Sequence, residues 1–211
     1  MSADLSPDLR HVTTWLFDLD DTLYPAESGL MAEIERRMTD FVMRLTGLPR
    51  DEAFRLQKDY LVEHGVTLLG LMRNHGVDPD EFADAYVDIE LDALSHDPEL
   101  VAAIAALPGR RLVFTNADRR HAERVLRRLG LEQLFDDVFH IASFDYTPKP
   151  DPAAFQRMIA EHGVVPAQTC FFEDSIRNLK PAAESSTAPF VHYRAPRLTP
   201  FLQSVRAAQN P

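Results

Sequence analysis

The chain reads TTWLFDLDDTL from Thr13 to Leu23. The segment begins as a short, largely apolar run with the length of a buried strand, and carboxylates follow it at Asp18, Asp20 and Asp21. Ligands of open parallel sheets bind at the carboxyl ends of the strands, so the segment predicts a site. Acids this close raise each other's proton affinity unless a cation intervenes, and such oxygen ligands suit Mg²⁺. Taken alone, the segment fits a polar turn equally well.

Four later runs resemble the first and indicate further strands of one sheet. They are short and apolar, and they cover Arg111–Phe114, Val138–Ile141, Thr169–Phe172 and Pro189–Tyr193. Helices with clear end signals lie between most of these runs. Asp118 and Gly130 bound one helix, while Asp151 and Gly163 bound another. The alternation predicts an α/β protein with a parallel sheet of about five strands covered by helices on both faces.

The interval from Pro25 to Leu107 breaks this alternation. It holds more than 80 residues without a convincing strand, which is too long for one crossover. Apolar residues recur at helical spacing from Leu30 to Leu45 and from Phe82 to Leu94. We therefore expect residues 25–107 to form an all-helical domain inserted after the first strand. Residues 1–24 and 108–211 would then form the α/β core domain.

Composition excludes several classes of protein. The chain has 33 acidic and 22 basic residues and a net charge of −11, which repels nucleic acids and anionic lipids. The start lacks the basic and apolar regions of a secretory signal, and no later segment approaches the roughly 20 apolar residues of a membrane span. A single cysteine, Cys170, excludes an internal disulfide. We therefore expect a cytoplasmic protein that binds neither nucleic acid polymers nor membranes.

Three later strands also end in polar residues. Thr115 and Asn116 can donate a hydroxyl and an amide hydrogen bond to phosphate oxygens, although a helix cap explains them as well. Lys149 stands between two prolines, which favours an ammonium held in place over a solvated loop lysine. Glu173 and Asp174 place two more acids after the fourth strand. Together, these groups are suited to binding Mg²⁺ and a phosphoryl group.

As a set, these segments resemble the four motifs of the haloacid dehalogenase superfamily of phosphohydrolases. The matching strings are FDLDDTL at 17–23, FTN at 114–116, the lysine of KPDP at 149–152 and FFEDS at 171–175. The resemblance extends from about Thr13 to Tyr193, nearly the whole chain. It implies a Rossmann-like core with an inserted helical cap that closes over a small substrate and excludes water.

The resemblance also implies a mechanism. Asp18 would attack the phosphorus and be transiently phosphorylated, and Asp20 would protonate the leaving oxygen and then activate the hydrolytic water. Lys149 would neutralise charge between Asp18 and the phosphate. This is chemically consistent, because a carboxylate can approach a phosphate dianion only when cations cancel the repulsion.

The same resemblance assigns the binding groups. Thr115 and the adjacent Asn116 would hold the phosphoryl oxygens. Glu173 would act on the metal through water or a neighbouring ligand. The groups that bind Mg²⁺ would be the Asp18 carboxylate, the main-chain carbonyl of Asp20 and the Asp174 carboxylate.

Finer similarities point to the pyrimidine 5′-nucleotidases within this superfamily. They lie in the strings DTLYP at 21–25, HGVT at 64–67, FTNAD at 114–118 and EDS at 173–175. The substrate implied is a small phosphorylated metabolite, namely a nucleotide such as uridine or cytidine monophosphate, with phosphoglycolate or a sugar phosphate as the alternative. Five side chains in or near the cap could contact the leaving group, although packing or surface roles explain each of them. They are Tyr24, Tyr60, His64, Arg73 and Asn74.

Three other functions share parts of this set of residues. A dehalogenase would use the same nucleophile on carbon, but it needs neither Mg²⁺ nor an acid two residues later, so Asp20 disfavours it. A signalling receiver domain also phosphorylates an Asp beside Mg²⁺, but its order of motifs differs and it lacks a long helical insertion. A degenerate binding protein would not need an intact set of catalytic groups.

Overall fold

The fold is seen in a computed structural model, which describes residues 9–185, 190–192 and 198–209. Five strands form a single sheet, and every neighbouring pair is parallel. The strand order is β3-β2-β1-β4-β5, which places the first strand at the centre. The strands are β1 (Thr14–Phe17), β2 (Arg110–Phe114), β3 (Asp137–Phe139), β4 (Thr169–Glu173) and β5 (Phe190–His192). The predicted α/β class is confirmed, although Pro189 and Tyr193 of the last predicted strand lie outside the described residues.

Helices cover both faces of the sheet, because successive side chains of each strand point to opposite faces. Trp15 and Phe17 of β1 pack with the apolar residues of α6 (Arg119–Leu129) and α9 (Leu198–Gln209). Leu16, between them, packs on the other face with α7 (Pro152–His162) and α8 (Ile176–Ser185). All three β1 side chains are at most 2% exposed, as expected for a central parallel strand.

The predicted helix boundaries around the sheet are also confirmed. Asp118 accepts a hydrogen bond from the His121 backbone at the start of α6, and Gly130 ends that helix in the left-handed conformation at φ 75°. Asp151 likewise accepts from the Ala153 backbone at the start of α7. These caps fix the first residue of each helix. Both helices begin near the edge of the sheet at which a site is expected.

The interval between β1 and β2 is helical, as predicted. Within its described residues it contains α1 (Leu30–Thr46), α2 (Arg50–His64), α3 (Thr67–His75), α4 (Pro79–Asp84) and α5 (Pro98–Ala105). The first three pack against one another in sequence, whereas α5 packs against α9 beside the sheet. The division into a cap at 25–107 and a core stays a prediction, and the contacts of α5 favour a cap that ends before it.

One helix expectation was wrong. Apolar spacing from Phe82 to Leu94 suggested a continuous helix, but α4 ends at Asp84 and the following residues form turns and irregular chain. The apolar side chains there are nevertheless buried. Arginines of α6 replace the missing helical hydrogen bonds: Arg124 donates to the carbonyls of Val87 and Ile89, and Arg128 to those of Leu91 and Leu94. Side-chain donors from a distant helix therefore satisfy this backbone.

In the described part of the chain, none of the helices combines the length and apolar character that a membrane crossing requires.

Candidate active site

The carboxyl ends of the central strands bring the predicted residues to one edge of the sheet. Asp18 directly follows β1, Thr115 follows β2, and Glu173 is the last residue of β4. Lys149 reaches the same place from the loop before α7. The ladder continues past β1, since the Asp18 backbone donates to the Phe172 carbonyl at 2.9 Å. The position of Asp18 is therefore fixed by the sheet itself.

Lys149 is the electrostatic centre of this site. Its Nζ donates to Asp18 Oδ1 at 2.8 Å, to Glu173 Oε2 at 2.8 Å and to the Phe114 carbonyl at 2.7 Å. The residue is only 1% exposed, and the three bonds use all three ammonium hydrogens. Burial opposes its charge, but Asp18 and Glu173 outweigh burial and raise the pKa of Lys149. The lysine is therefore held as a cation against two buried carboxylates.

Asn116 holds the loop that carries Lys149. Its Oδ1 accepts from the Lys149 backbone amide at 2.8 Å, and its Nδ2 donates to the Lys149 carbonyl at 3.0 Å. Both ends of the Asn116 amide thus bind the main chain of one residue. The substrate-binding role predicted for Asn116 stays a prediction, while the structure shows a positioning contact.

Three carboxylates cluster beside the lysine. Oxygens of Asp18, Glu173 and Asp174 lie within 4.8 Å of one another. Burial, and then the charge of Glu173, raise the pKa of Asp18 well above its ordinary value and that of Asp174 to about 7. Crowded acids of this kind favour a bound cation, and their all-oxygen donor set fits Mg²⁺. The residues present therefore fit the metal that the sequence predicted.

Both oxygens of Glu173 have protein partners. Oε2 accepts from Lys149, and Oε1 accepts from the Ser175 backbone at 3.2 Å. The side chain is fully buried. This arrangement suits the indirect role predicted for Glu173, which stays a prediction.

Thr115 lies fully inside the site. Its Oγ1 accepts from the Ala117 backbone at 3.0 Å, and its own backbone donates to the Phe139 carbonyl at 3.0 Å. Among the described residues, no acceptor takes the hydroxyl hydrogen. Thr115 is therefore fixed in place with one donor available to a phosphoryl oxygen, as its predicted role requires.

Two residues bind the side chain of Asp20, and the sequence analysis predicted neither contact. Tyr24 Oη donates to Asp20 Oδ1 at 2.6 Å, and His121 Nε2 lies 2.8 Å from the same oxygen. Burial opposes ionisation of Asp20, but the charge and hydrogen bond of His121 and the hydroxyl of Tyr24 outweigh burial and lower its pKa. Burial lowers and Asp20 raises the pKa of His121, with a net rise. His121 lies 101 residues from Asp20, and no spacing rule links them.

A large cavity opens between this edge of the sheet and the inserted helices. Its volume is about 830 Å³, and its walls include Asp20 and Asp21, the start of α6, and side chains of α1 and α2. Gln57 of α2 lines the cavity although it is only 3% exposed. One end of its amide binds the Thr39 hydroxyl at 2.6 Å, and no described residue binds the other end. Sequence spacing gave no signal for Gln57.

The cap residues suggested from the sequence do not form this cavity. None of Tyr24, Tyr60, His64, Arg73 and Asn74 is among its lining residues. Tyr60 binds His75 at 2.9 Å, and Asn74 donates to the Gly70 carbonyl at 2.8 Å. Tyr60 and Asn74 therefore have structural partners inside the helical region, and a contact of the five suggested side chains with the leaving group stays a prediction.

Comparisons with known proteins agree with the geometry. The chain is 26% identical over 194 residues to Phosphate metabolism protein 8 of Saccharomyces cerevisiae, covering 84% of this chain but only 60% of that protein. It is 29% identical over 178 residues to Glyceraldehyde 3-phosphate phosphatase of Methanopyrus kandleri, covering 76% and 75%. The chain thus spans less than two thirds of the yeast relative.

A solved structure shares the fold. The crystal structure of a HAD phosphatase from Thermococcus onnurineus aligns with a TM-score of 0.57 and 21% identity, covering 85% of this chain and 86% of that one. A family model described as haloacid dehalogenase-like hydrolase matches residues 12–185, which include every site residue described above. The chain therefore belongs to the haloacid dehalogenase-like hydrolase family.

Proposed function

We propose that this hydrolase is a Mg²⁺-dependent phosphomonoesterase that works through a phosphorylated Asp18. The observation that carries the proposal is the buried ammonium of Lys149, which binds one oxygen of Asp18 and leaves the other without a protein partner among the described residues. A buried carboxylate with a cation on one oxygen can attack a dianion with the other. Asp18 Oδ2 is thus the nucleophilic atom.

The neighbouring groups supply the remaining steps. Asp18 Oδ2 bonds to phosphorus as the bond to the leaving oxygen breaks, and Asp20 gives that oxygen its proton. Asp20 then accepts a proton from the water that splits the aspartyl phosphate and releases inorganic phosphate. The hydroxyl of Thr115 donates to a phosphoryl oxygen. Asp18, Asp174 and the Asp20 carbonyl would hold Mg²⁺, which when bound offsets the phosphoryl charge.

We further propose that the substrates are pyrimidine nucleoside monophosphates. The cavity of about 830 Å³ lies in the range of small-molecule sites and has room for a nucleoside beside the carboxylates. The unpaired end of the Gln57 amide can hydrogen-bond to the amide-like edge of a pyrimidine base. The name of the Methanopyrus relative supports the alternative of a smaller phosphorylated metabolite.

A substrate panel, run with Mg²⁺ and again with excess chelator, tests both proposals. We expect phosphate release from uridine and cytidine monophosphates to exceed that from phosphoglycolate, glyceraldehyde 3-phosphate and sugar phosphates, and chelation to abolish it. Turnover of only the smaller esters would reject the nucleotide while preserving the mechanism. Chloride release from 2-chloropropionate that survives chelation would instead indicate a dehalogenase.

Replacing Gln57 with Leu should weaken nucleotide binding selectively. A lost hydrogen bond to the base is worth about 1 kcal/mol, so KM for uridine monophosphate should rise about 5- to 10-fold. The KM for glyceraldehyde 3-phosphate, which carries no base, should stay within about 2-fold. The control is Gln156→Leu on an exposed position of α7. An equal rise of KM for both substrates would show that Gln57 shapes the helical region without reading a base.

A further inference from the structure

In the described part of the chain, the Asp20 carboxyl group accepts side-chain hydrogen bonds through only one of its two oxygens. Tyr24 and His121 both reach Oδ1, at 2.6 and 2.8 Å, and both side chains are at least 97% buried. Among the described residues, none binds Oδ2. The two oxygens of this carboxyl group are therefore in different environments, since one accepts from two donors and the other from no described residue, and Asp20 itself lines the cavity.

Each of the two donors is itself fixed. Tyr24 lies four residues after Asp20 and packs in the main apolar cluster. His121 lies in the first turn of α6, where its backbone donates to the Asp118 side chain at 3.1 Å. Tyr86 donates to the other oxygen of Asp118 at 3.0 Å, and its ring meets that of His121 edge-on with centroids 6.2 Å apart. The inserted segment thus contacts both the ring of His121 and the cap of its helix.

We propose that Tyr24 and His121 are positioning residues that assign proton transfer to Oδ2 of Asp20. Because two donors occupy Oδ1, a proton carried by Asp20 lies on Oδ2, from which it passes to the leaving oxygen as the phosphorus–oxygen bond breaks. The carboxylate that remains is stabilised by the two hydrogen bonds on Oδ1. In the second step Oδ2 takes a proton from the attacking water, which restores the acid. This inference rests on the proposed phosphatase mechanism.

The arrangement has a kinetic signature that packing alone would not produce. Nucleosides and sugars leave as alkoxides, which are poor leaving groups and need the proton of Asp20. p-Nitrophenolate is a stable anion and leaves without one. Loss of proton positioning should therefore slow phosphorylation of the enzyme by alkyl phosphates more than by p-nitrophenyl phosphate.

The experiment compares kcat/KM, which reports the steps up to formation of the aspartyl phosphate, for uridine monophosphate and p-nitrophenyl phosphate. We expect His121→Leu and Tyr24→Phe each to lower kcat/KM for the nucleotide about 10- to 100-fold, and for p-nitrophenyl phosphate less than about 3-fold. His121→Gln, which keeps a donor, should recover part of the loss. The kcat for both substrates should fall to a common value, because hydrolysis of the aspartyl phosphate also needs Asp20.

Controls separate this proposal from the one it rests on. His162→Gln changes a largely buried histidine of α7 far along the chain and should leave both substrates unaffected. Equal losses of kcat/KM for the two substrates, or no loss at all, would overturn the positioning role. If the unaltered enzyme releases phosphate from neither substrate, the phosphatase function itself is wrong. Thermal melting confirms folding, and Tyr24→Phe, which removes one oxygen atom, preserves the test should His121→Leu fail to fold.

Discussion

Asp18→Asn is expected to lower the kcat for phosphate release by at least about 10⁴-fold, because an amide is a poor nucleophile and the covalent route is lost with it. The fold should survive the change. Asp18 is 7% exposed and faces the buried charge of Glu173, so a neutral side chain of equal size relieves repulsion at this point. The measurements are phosphate release at saturating substrate and thermal melting in the presence of chelator.

Asp59→Asn is the matched control for this variant. Asp59 lies on an exposed position of α2, so its replacement should change neither activity nor melting temperature. If Asp18→Asn retained more than about a tenth of the original kcat, the nucleophile would have to be another residue. A loss of activity accompanied by unfolding would contradict the expected tolerance of the fold.

Lys149→Met should damage both stability and catalysis. The variant leaves Asp18 and Glu173 buried without their counter-charge, and breaking a buried ion pair in this way costs about 3–5 kcal/mol of unfolding free energy. Phosphate release should fall together with stability, since the phosphate dianion would then face unneutralised carboxylates. Urea denaturation in chelator measures the stability, and Lys180→Met, at an exposed position of α8, is the control.

A double variant tests whether the unpaired charge causes the loss of stability in Lys149→Met. Adding Glu173→Gln to Lys149→Met removes one of the two carboxylates left without a counter-charge and should recover about 1–3 kcal/mol of the lost stability, without restoring activity. If the two changes were simply additive, the contacts of the Lys149 ammonium with the rings of Phe114 and Phe171 would explain its contribution better than the ion pair does.

The sheet and the main site could be predicted from the sequence because both depend on short-range patterns. Apolar runs such as Thr169–Phe172 report burial on two faces, and parallel strands bring whatever follows them to one edge. The sequence alone therefore predicts that Asp18, Lys149 and Asp174 lie close together. The resemblance to known motifs then gave those residues their proposed roles.

Sequence analysis missed contacts between elements that are far apart in the chain. Tertiary packing alone determines how such elements are placed relative to one another. His121 and Asp20 meet because α6 begins beside the end of β1, and neither residue carries a local pattern that shows this. Gln57 appears as one polar residue in an amphipathic helix, and its place in the cavity wall depends on how α1 and α2 pack. The segment after Asp84 was misread because arginines more than 30 residues away bind its carbonyls.

The central position of β1 has a consequence for how the protein is made. Thr14 pairs with Arg110 on one side and with Thr169 on the other, so the strand has no partner until the inserted helices between Thr14 and Arg110 have been synthesised. Such distant pairings close slowly, since chain entropy is lost before contacts compensate it. On the ribosome, Asp18 therefore emerges before its ionic partners, at the end of an apolar strand that is still unpaired. Chaperone capture of nascent chains should be strongest before Lys149 and Glu173 are synthesised.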